Sequence, residues 1–125
     1  MKRYILLFRV SVVLSIVMAL ALSGCSSCTR ENKVADKIAP TVPNGVAITA
    51  VSSSEINVSW KPSADASGRV KGYKVYRNGQ YFKTIDRTSL SDAGLTPKVK
   101  FCYRISAFDG AENESVQSTE VCAIL

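Results

Sequence analysis

Residues 72–85, GYKVYRNGQYFKTI, decide the fold class of this chain. Two runs rich in aromatic and β-branched residues flank the pair Asn78-Gly79. Both central positions of a type I′ turn require φ > 0, which Asn and Gly adopt more readily than other residues. The stretch therefore predicts a β-hairpin with a two-residue turn, whose strands are Gly72–Arg77 and Gln80–Ile85.

Period-two alternation of apolar and polar residues extends this strand pattern on both sides of the hairpin. It runs through positions 46–48 and 56–60, and then along a long stretch from Val99 to Phe108. A last strand is predicted from Val116 to Ala123. Seven short strands without a helical stripe predict an all-β sandwich of two sheets. The residues expected to face inward are Val46, Ile48, Ile56, Val58, Trp60, Phe101, Tyr103, Ile105, Ala107 and Val121.

The composition argues against catalysis and against nucleic acid as a partner. The 125-residue chain has no histidine, the commonest general base and metal ligand. It has 16 Lys and Arg against 10 Asp and Glu, but three of the basic residues lie in the first nine positions and the rest are scattered. No nucleophile elbow, P-loop or dinucleotide fingerprint is present. We therefore expect a non-enzymatic protein without a metal site or a cofactor.

Four aspartates are the remaining candidates for acid–base chemistry. Asp65, Asp86, Asp92 and Asp109 are each predicted in a turn or at a strand end, where Asp is common because its side chain bonds to nearby backbone. Their positions therefore indicate turns and not a carboxylate pair.

The N-terminal segment has the pattern of a secretion signal. Lys2 and Arg3 precede an apolar stretch, Val10 to Leu22, whose 13 residues would span only about 20 Å as a helix. The following Leu22-Ser23-Gly24-Cys25 resembles the lipobox of bacterial lipoproteins. The resemblance implies that residues 1–24 are a signal peptide and that the Cys25 thiol carries a diacylglycerol, which anchors the protein in the cell envelope. Ser26 after this cysteine favours the outer membrane in a Gram-negative host.

Two alternatives to this anchor stay open. Ala19-Leu20-Ala21 fits an ordinary cleavage site, which would release a freely secreted protein that begins at Leu22. An uncleaved membrane anchor is disfavoured by the shortness of the apolar stretch. Residues 25–39 are small and charged, without apolar periodicity, and are predicted to be a flexible tether.

Five motifs follow in order from the end of the tether: Ala39-Pro40-Thr41-Val42-Pro43, Val58-Ser59-Trp60, the hairpin at 72–79, Leu95-Thr96-Pro97 and Ser106-Ala107-Phe108-Asp109. In this order and spacing they resemble a bacterial fibronectin type III domain. The resemblance implies a seven-stranded, immunoglobulin-like sandwich over residues 40–125, with Trp60, Tyr73 and Leu95 in its core. In bacteria, domains of this kind resemble spacers in secreted polysaccharide-degrading enzymes and modules of surface proteins.

The cysteines predict one intramolecular disulfide. Cys102 and Cys122 are equidistant from the turn near residue 112, so a simple hairpin register places them opposite each other. An exported protein permits the bond, although two unpaired thiols remain the alternative. Cys28 is then left over. It is either acylated, capped or idle, or it joins two copies in a disulfide dimer.

The candidate binding face consists of Lys74, Tyr76, Lys100 and Arg104, which the alternation places outward on neighbouring strands. An aromatic ring among cations suits a sugar or an acidic polymer, although an ordinary solvated sheet face has the same pattern. The leading interpretation is a non-enzymatic, membrane-anchored module that binds an unknown envelope protein. The alternative is a carbohydrate- or peptidoglycan-binding module. Because the last predicted strand ends with the chain, we expect this module to be the whole functional unit.

Overall fold

The computed structural model describes residues 34–66 and 68–125, which form seven antiparallel strands. The strands build a three-stranded sheet in the order β1-β2-β5 and a four-stranded sheet in the order β4-β3-β6-β7. This confirms the predicted all-β, two-sheet sandwich. The bounds are β1 Asn44–Ser52, β2 Glu55–Lys61, β3 Val70–Arg77, β4 Gln80–Ile85, β5 Ser89–Ala93, β6 Lys100–Asp109 and β7 Val121–Ile124.

Several predictions concern positions outside the described residues. These are the signal peptide, the acylated Cys25, the free Cys28 and the tether as far as residue 33. Within the described residues no helix is long and apolar enough to cross a membrane. Part of the stretch assigned to the tether is described, and there the Asn113 side-chain amide donates to the Asp36 carbonyl at 3.1 Å.

The hairpin at residues 72–85 forms with the predicted two-residue turn. Asn78 and Gly79 have φ of 51° and 81°, the left-handed values that a type I′ turn needs. The turn pairs Arg77 with Gln80 and Tyr76 with Tyr81. The ladder then shifts register between Tyr76 and its neighbour Val75, which leaves an extra residue on β4.

Alternate side chains of β2, β3 and β6 make the core between the sheets, as the period-two pattern predicted. The Trp60 ring meets the Tyr73 ring edge to face, with centroids 5.5 Å apart. Val46, Ile48 and Val121 are partly buried against this core. The buried core residues are Ile56, Val58, Trp60, Tyr73, Val75, Leu90, Leu95, Phe101, Tyr103, Ile105 and Ala107.

A buried ion pair joins the two sheets. Asp92 was expected in a turn or at a strand end, but it lies within β5 and is only 4% exposed. Arg77 on β3 binds its two oxygens at 3.0 and 2.8 Å, and the Tyr103 hydroxyl on β6 donates to it at 2.7 Å. Burial and the hydrogen bond to Asp92 raise the pKa of Tyr103, so it remains a donor at every physiological pH. A buried carboxylate needs this full set of partners.

The last strand is shorter than the alternation predicted, because β7 begins at Val121 and not at Val116. Before it, two serines bond to β6 through backbone and side chain alike: the amides of Ser115 and Ser118 donate to the carbonyls of Ala107 and Ile105 at 2.8 and 2.7 Å. Ser115 Oγ accepts from the Ala107 amide and Ser118 Oγ from the Ile105 amide, each at 3.0 Å. The segment therefore follows β6 without being a regular strand.

The structure joins Cys102 and Cys122 in a disulfide, which confirms the predicted pairing. The two residues are directly opposite on β6 and β7, with Cα atoms 4.0 Å apart and a sequence separation of 20. Closing a loop of this length contributes about 3 kcal/mol in the chain-entropy account.

Candidate binding face

Three of the four predicted binding residues lie together on the outer side of the four-stranded sheet. Lys74 and Tyr76 are neighbours in the outward row of β3, and Arg104 is directly opposite Tyr76 on β6. Lys100 lies at the start of β6, and the disulfide separates it from the other three. The structure therefore places Lys74, Tyr76 and Arg104 together on one face, whereas Lys100 stands apart.

Glu114 organises this face, although no sequence pattern singled it out. Its Oε2 accepts from Lys74 Nζ at 2.6 Å. Its Oε1 accepts from the hydroxyls of Tyr76 at 2.8 Å and Ser106 at 2.5 Å. Ser106 is fully buried, so this hydrogen bond satisfies a hydroxyl that water does not reach.

The contact between Glu114 and Lys74 shifts the pKa of both groups. The hydrogen bond to Glu114 raises the pKa of Lys74, although burial opposes it. Burial acts to raise the pKa of Glu114, but hydrogen bonds from Lys74, Ser106 and Tyr76 outweigh it and hold the pKa below its ordinary value. Both groups therefore stay charged throughout the neutral range.

The second cation of the face is paired as well. Arg104 Nε donates to Glu120 at 3.2 Å, with the two side chains 45% and 38% exposed. The sequence pattern indicated an aromatic ring among cations, which would attract an acidic polymer. The expected attraction for an acidic polymer is weakened, because the negative charges of Glu114 and Glu120 balance the positive charges of Lys74 and Arg104. Both glutamates come from the segment after β6. The alternation of apolar and polar residues does not reveal that this segment runs along the face.

Two tyrosines, Tyr81 exposed and Tyr76 half-buried, give the face its main apolar feature. The rings of Tyr76 and Tyr81 lie edge to face, with centroids 6.1 Å apart and planes at 77°. Tyr81 is 59% exposed, and its hydroxyl is 2.9 Å from Thr84 Oγ1. The outward aromatic surface is thus larger than the single ring of Tyr76. The two-residue turn already implied this pair, because it places residue 81 directly opposite residue 76.

Phe108 supports the same face from beneath. It is 7% exposed and lies under the ammonium groups of Lys71 and Lys74, which are 5.8 and 5.6 Å from its ring centroid. Gly72 leaves room for the ring, because a Cβ there would lie 3.1 Å from Phe108 Cε1 and 2.8 Å from the Ile85 carbonyl oxygen. On the outer face of the sheet, Phe108 is therefore packed between Gly72 and the side chains of Lys71 and Lys74.

Three carboxylates that the sequence did not connect also come together. Oxygens of Asp36, Asp65 and Asp109 lie within 4.8 Å of one another. Asp109 is almost fully buried, and it accepts from the amides of Ala111 and Asn113 at 2.8 and 2.9 Å. Burial acts to raise the pKa of Asp109, but a hydrogen bond from the Asn113 side-chain amide at 2.7 Å and the two backbone bonds outweigh it and lower the pKa. Through these hydrogen bonds Asp109 closes the turn after β6.

The two antiparallel sheets around one core define an immunoglobulin-like β-sandwich. The chain belongs to the fibronectin type III domain family, whose model matches residues 39–121. A domain of this family is a non-catalytic module, and its fold alone does not assign a task.

The relatives include bacterial enzymes of polysaccharide breakdown. The chain is 43% identical over 83 residues to Exoglucanase B of Cellulomonas fimi, which covers 66% of this chain and 8% of that enzyme. It is 33% identical over 91 residues to chitinase Chi52 of Paenibacillus xylanexedens, covering 73% of this chain and 17% of that enzyme. The match therefore corresponds to a small part of each enzyme.

Solved structures agree on the fold. Chitinase ChiA74 from Bacillus thuringiensis superposes with a TM-score of 0.62 at 24% identity, over 70% of this chain and 14% of that one. The sixth fibronectin type III domain of a human protein superposes with a TM-score of 0.60 at 19% identity, over 68% of this chain and 84% of that one.

The account of the face predicts a pH-dependent effect of Glu114→Gln. The pKa of Glu114 is lowered by folding, so its contribution to stability is present above the unfolded pKa and is lost as the pH falls through the folded value. We expect the substitution to lower the free energy of unfolding at pH 7 by about 1 kcal/mol. The difference from wild type should shrink below about pH 4. Urea unfolding over a pH series measures it.

Glu112→Gln is the matched control for this prediction. Glu112 also pairs with a lysine at 2.6 Å, but the side chains of Lys71 and Glu112 are 55% and 64% exposed. Solvent screens such a pair, so this variant should behave like wild type. Equal losses in the two variants, or a Glu114→Gln effect that persists in acid, would contradict the role assigned to Glu114.

Proposed function

We propose that this protein is a non-enzymatic module of the bacterial cell envelope, anchored through lipid on Cys25, which contacts a carbohydrate polymer. The pair formed by the exposed Tyr81 and the half-buried Tyr76 carries the proposal. Its rings present apolar surface, and the hydroxyls of Tyr81 and Thr84 stand beside it as hydrogen-bonding groups. Sugars are recognised by this combination of an aromatic surface and nearby polar groups.

The charge balance of the face narrows the class of polymer. Glu114 and Glu120 hold Lys74 and Arg104 in ion pairs, so the face does not depend on negative charge in its ligand. A neutral or mixed-charge glycan, such as the N-acetylated sugar strand of peptidoglycan, suits it better than a polyanion. The names of the relatives, an exoglucanase and a chitinase among them, also favour a carbohydrate setting.

The anchor rests on the lipobox resemblance at residues 22–25. Two or three acyl chains bind a membrane stably, because each buried methylene contributes about 0.8 kcal/mol. Such an anchor, with Ser26 after it, would hold the domain close to the peptidoglycan of a Gram-negative envelope. The function proposed for the face and the location proposed for the chain therefore support each other.

The carbohydrate proposal predicts that Tyr81→Ala weakens binding to a polysaccharide. The full-length protein, purified in detergent, is incubated with insoluble peptidoglycan, chitin or cellulose and then sedimented. We expect wild type to sediment with at least one of them, and the variant to bind about three- to tenfold more weakly, as expected for the loss of one aromatic contact.

Two further variants act as controls for the sedimentation. Tyr81→Phe keeps the ring and should retain most of the binding, whereas Val51→Ala removes an equally exposed apolar side chain from the other sheet and should change nothing. Failure of wild type to sediment with any of the three polymers would refute the carbohydrate proposal.

The anchor is tested by the intact mass of the protein recovered from bacterial membranes, with Cys25→Ala beside wild type. We expect a mass equal to residues 25–125 plus acyl groups, lost in the variant. A soluble, unmodified chain that begins at Leu22 would overturn the anchor and identify a freely secreted module. A non-reducing sample reports whether Cys28 joins two copies.

A further inference from the structure

A cleft of about 570 Å³ opens on the side of the sandwich where β4 and β5 lie. These are edge strands of the two sheets, because β4 pairs only with β3 and β5 only with β2. The side chains of Ile85, Leu90 and Phe108 contribute apolar surface to the cleft. Neither Tyr76 nor Tyr81 lines it, although Thr84, whose hydroxyl contacts that of Tyr81, lies at its rim.

The edge of β5 is suited to receive another strand. Its ladder with β2 continues from Glu55–Ala93 to Ser59–Ser89 without a register shift. In contrast, the β3–β4 ladder shifts register between Val75 and Tyr76, and the extra residue that this leaves on β4 interrupts the edge of that strand. A strand at the edge of a sheet turns unpaired amide and carbonyl groups outward, and a partner chain can pair with them. Natural edges are commonly blunted by proline, and β5 has none.

The cleft is also positively charged. Lys71, Lys83 and Arg87 line it, against the single acid Asp86. Among the described residues, Lys83 and Arg87 have no ion-pair partner, whereas Lys71 pairs with Glu112. These two cations differ from Lys74 and Arg104 on the outer face, which glutamates of this chain neutralise. The cleft thus keeps unpaired positive charge beside an open strand edge.

We propose that the β5 edge of this cleft binds an extended acidic segment of another protein as an added β-strand. Backbone hydrogen bonds to β5 give the segment its register, and Lys83 and Arg87 pair with its carboxylates. Successive side chains of a strand point to opposite faces, so the acids of the segment fall at alternate positions. Charge complementarity selects the partner, and the strand edge selects its extended conformation.

The test uses fluorescence anisotropy with the full-length protein in detergent, at about 0.15 M salt to limit long-range attraction. The probes are labelled ten-residue peptides: an acidic one of alternating Glu and Thr, a basic one of alternating Lys and Thr, and an acidic one with a central proline. We expect only the first to bind. Proline lacks the amide hydrogen and cannot continue the ladder.

The variant Lys83→Ala/Arg87→Ala should weaken binding of the acidic peptide at least tenfold. The control variant Lys98→Ala/Lys100→Ala removes two cations outside the cleft and should have no such effect. Tyr81→Ala should leave peptide binding unchanged, which separates this proposal from the carbohydrate one.

Three outcomes would overturn the proposal. Equal binding of the proline peptide would show that charge alone attracts the probe. Competition by polygalacturonate as effective as that by unlabelled acidic peptide would make the cleft a site for acidic polysaccharides. Absence of binding by the acidic peptide would exclude strand addition of this chemistry.

Discussion

Strand β6 is covered on both faces from Ile105 to Asp109, and much of the architecture depends on this constraint. On its inner side Ile105 and Ala107 complete the core between the sheets. On its outer side Ser106 and Phe108 are also buried, so a polar hydroxyl and an aromatic ring both need cover there. The covering groups are Glu114 and two lysines of β3, Lys71 and Lys74. The segment after β6 must therefore fold back over the sheet.

This return path decides the chemistry of the surface. The segment brings Glu114 and Glu120 against Lys74 and Arg104, and it brings Cys122 opposite Cys102. What remains outward is an aromatic pair on a face whose cations are balanced. The same segment pairs Glu112 with Lys71 at the rim of the β4–β5 cleft, whereas Lys83 and Arg87 have no ion-pair partner among the described residues. The domain thus presents two surfaces of different character, the tyrosine pair proposed to contact a sugar polymer and the cleft proposed to bind an acidic strand.

Local patterns predicted the parts of the fold that depend on local geometry. Alternation placed Ile56, Val58, Tyr103 and Ile105 inward, and Asn78-Gly79 set the register of the β3–β4 hairpin. The turn near residue 112 placed Cys102 opposite Cys122. The errors arose where a side chain acts over a distance. As an aspartate, Asp92 was expected at a strand end. It is buried instead, because the ion pair with Arg77 of the other sheet stabilises its charge. Ser115 and Ser118 bond to β6 with their hydroxyls as well as their amides, an irregular pairing that alternation does not detect. Glu114 reaches the face only because the segment after β6 folds back over the sheet.

The most direct measurement is an NMR titration of the isotope-labelled protein with a hexamer of N-acetylglucosamine, following backbone amides and tyrosine ring signals. The account predicts shift changes that centre on Tyr76, Tyr81 and Thr84 and that leave β5 unaffected. Shift changes confined to the β1-β2-β5 sheet, or to Asp86, Arg87 and Ser91 of the cleft, would contradict it. In that case the tyrosine pair would be a feature of packing and not a contact surface for carbohydrate.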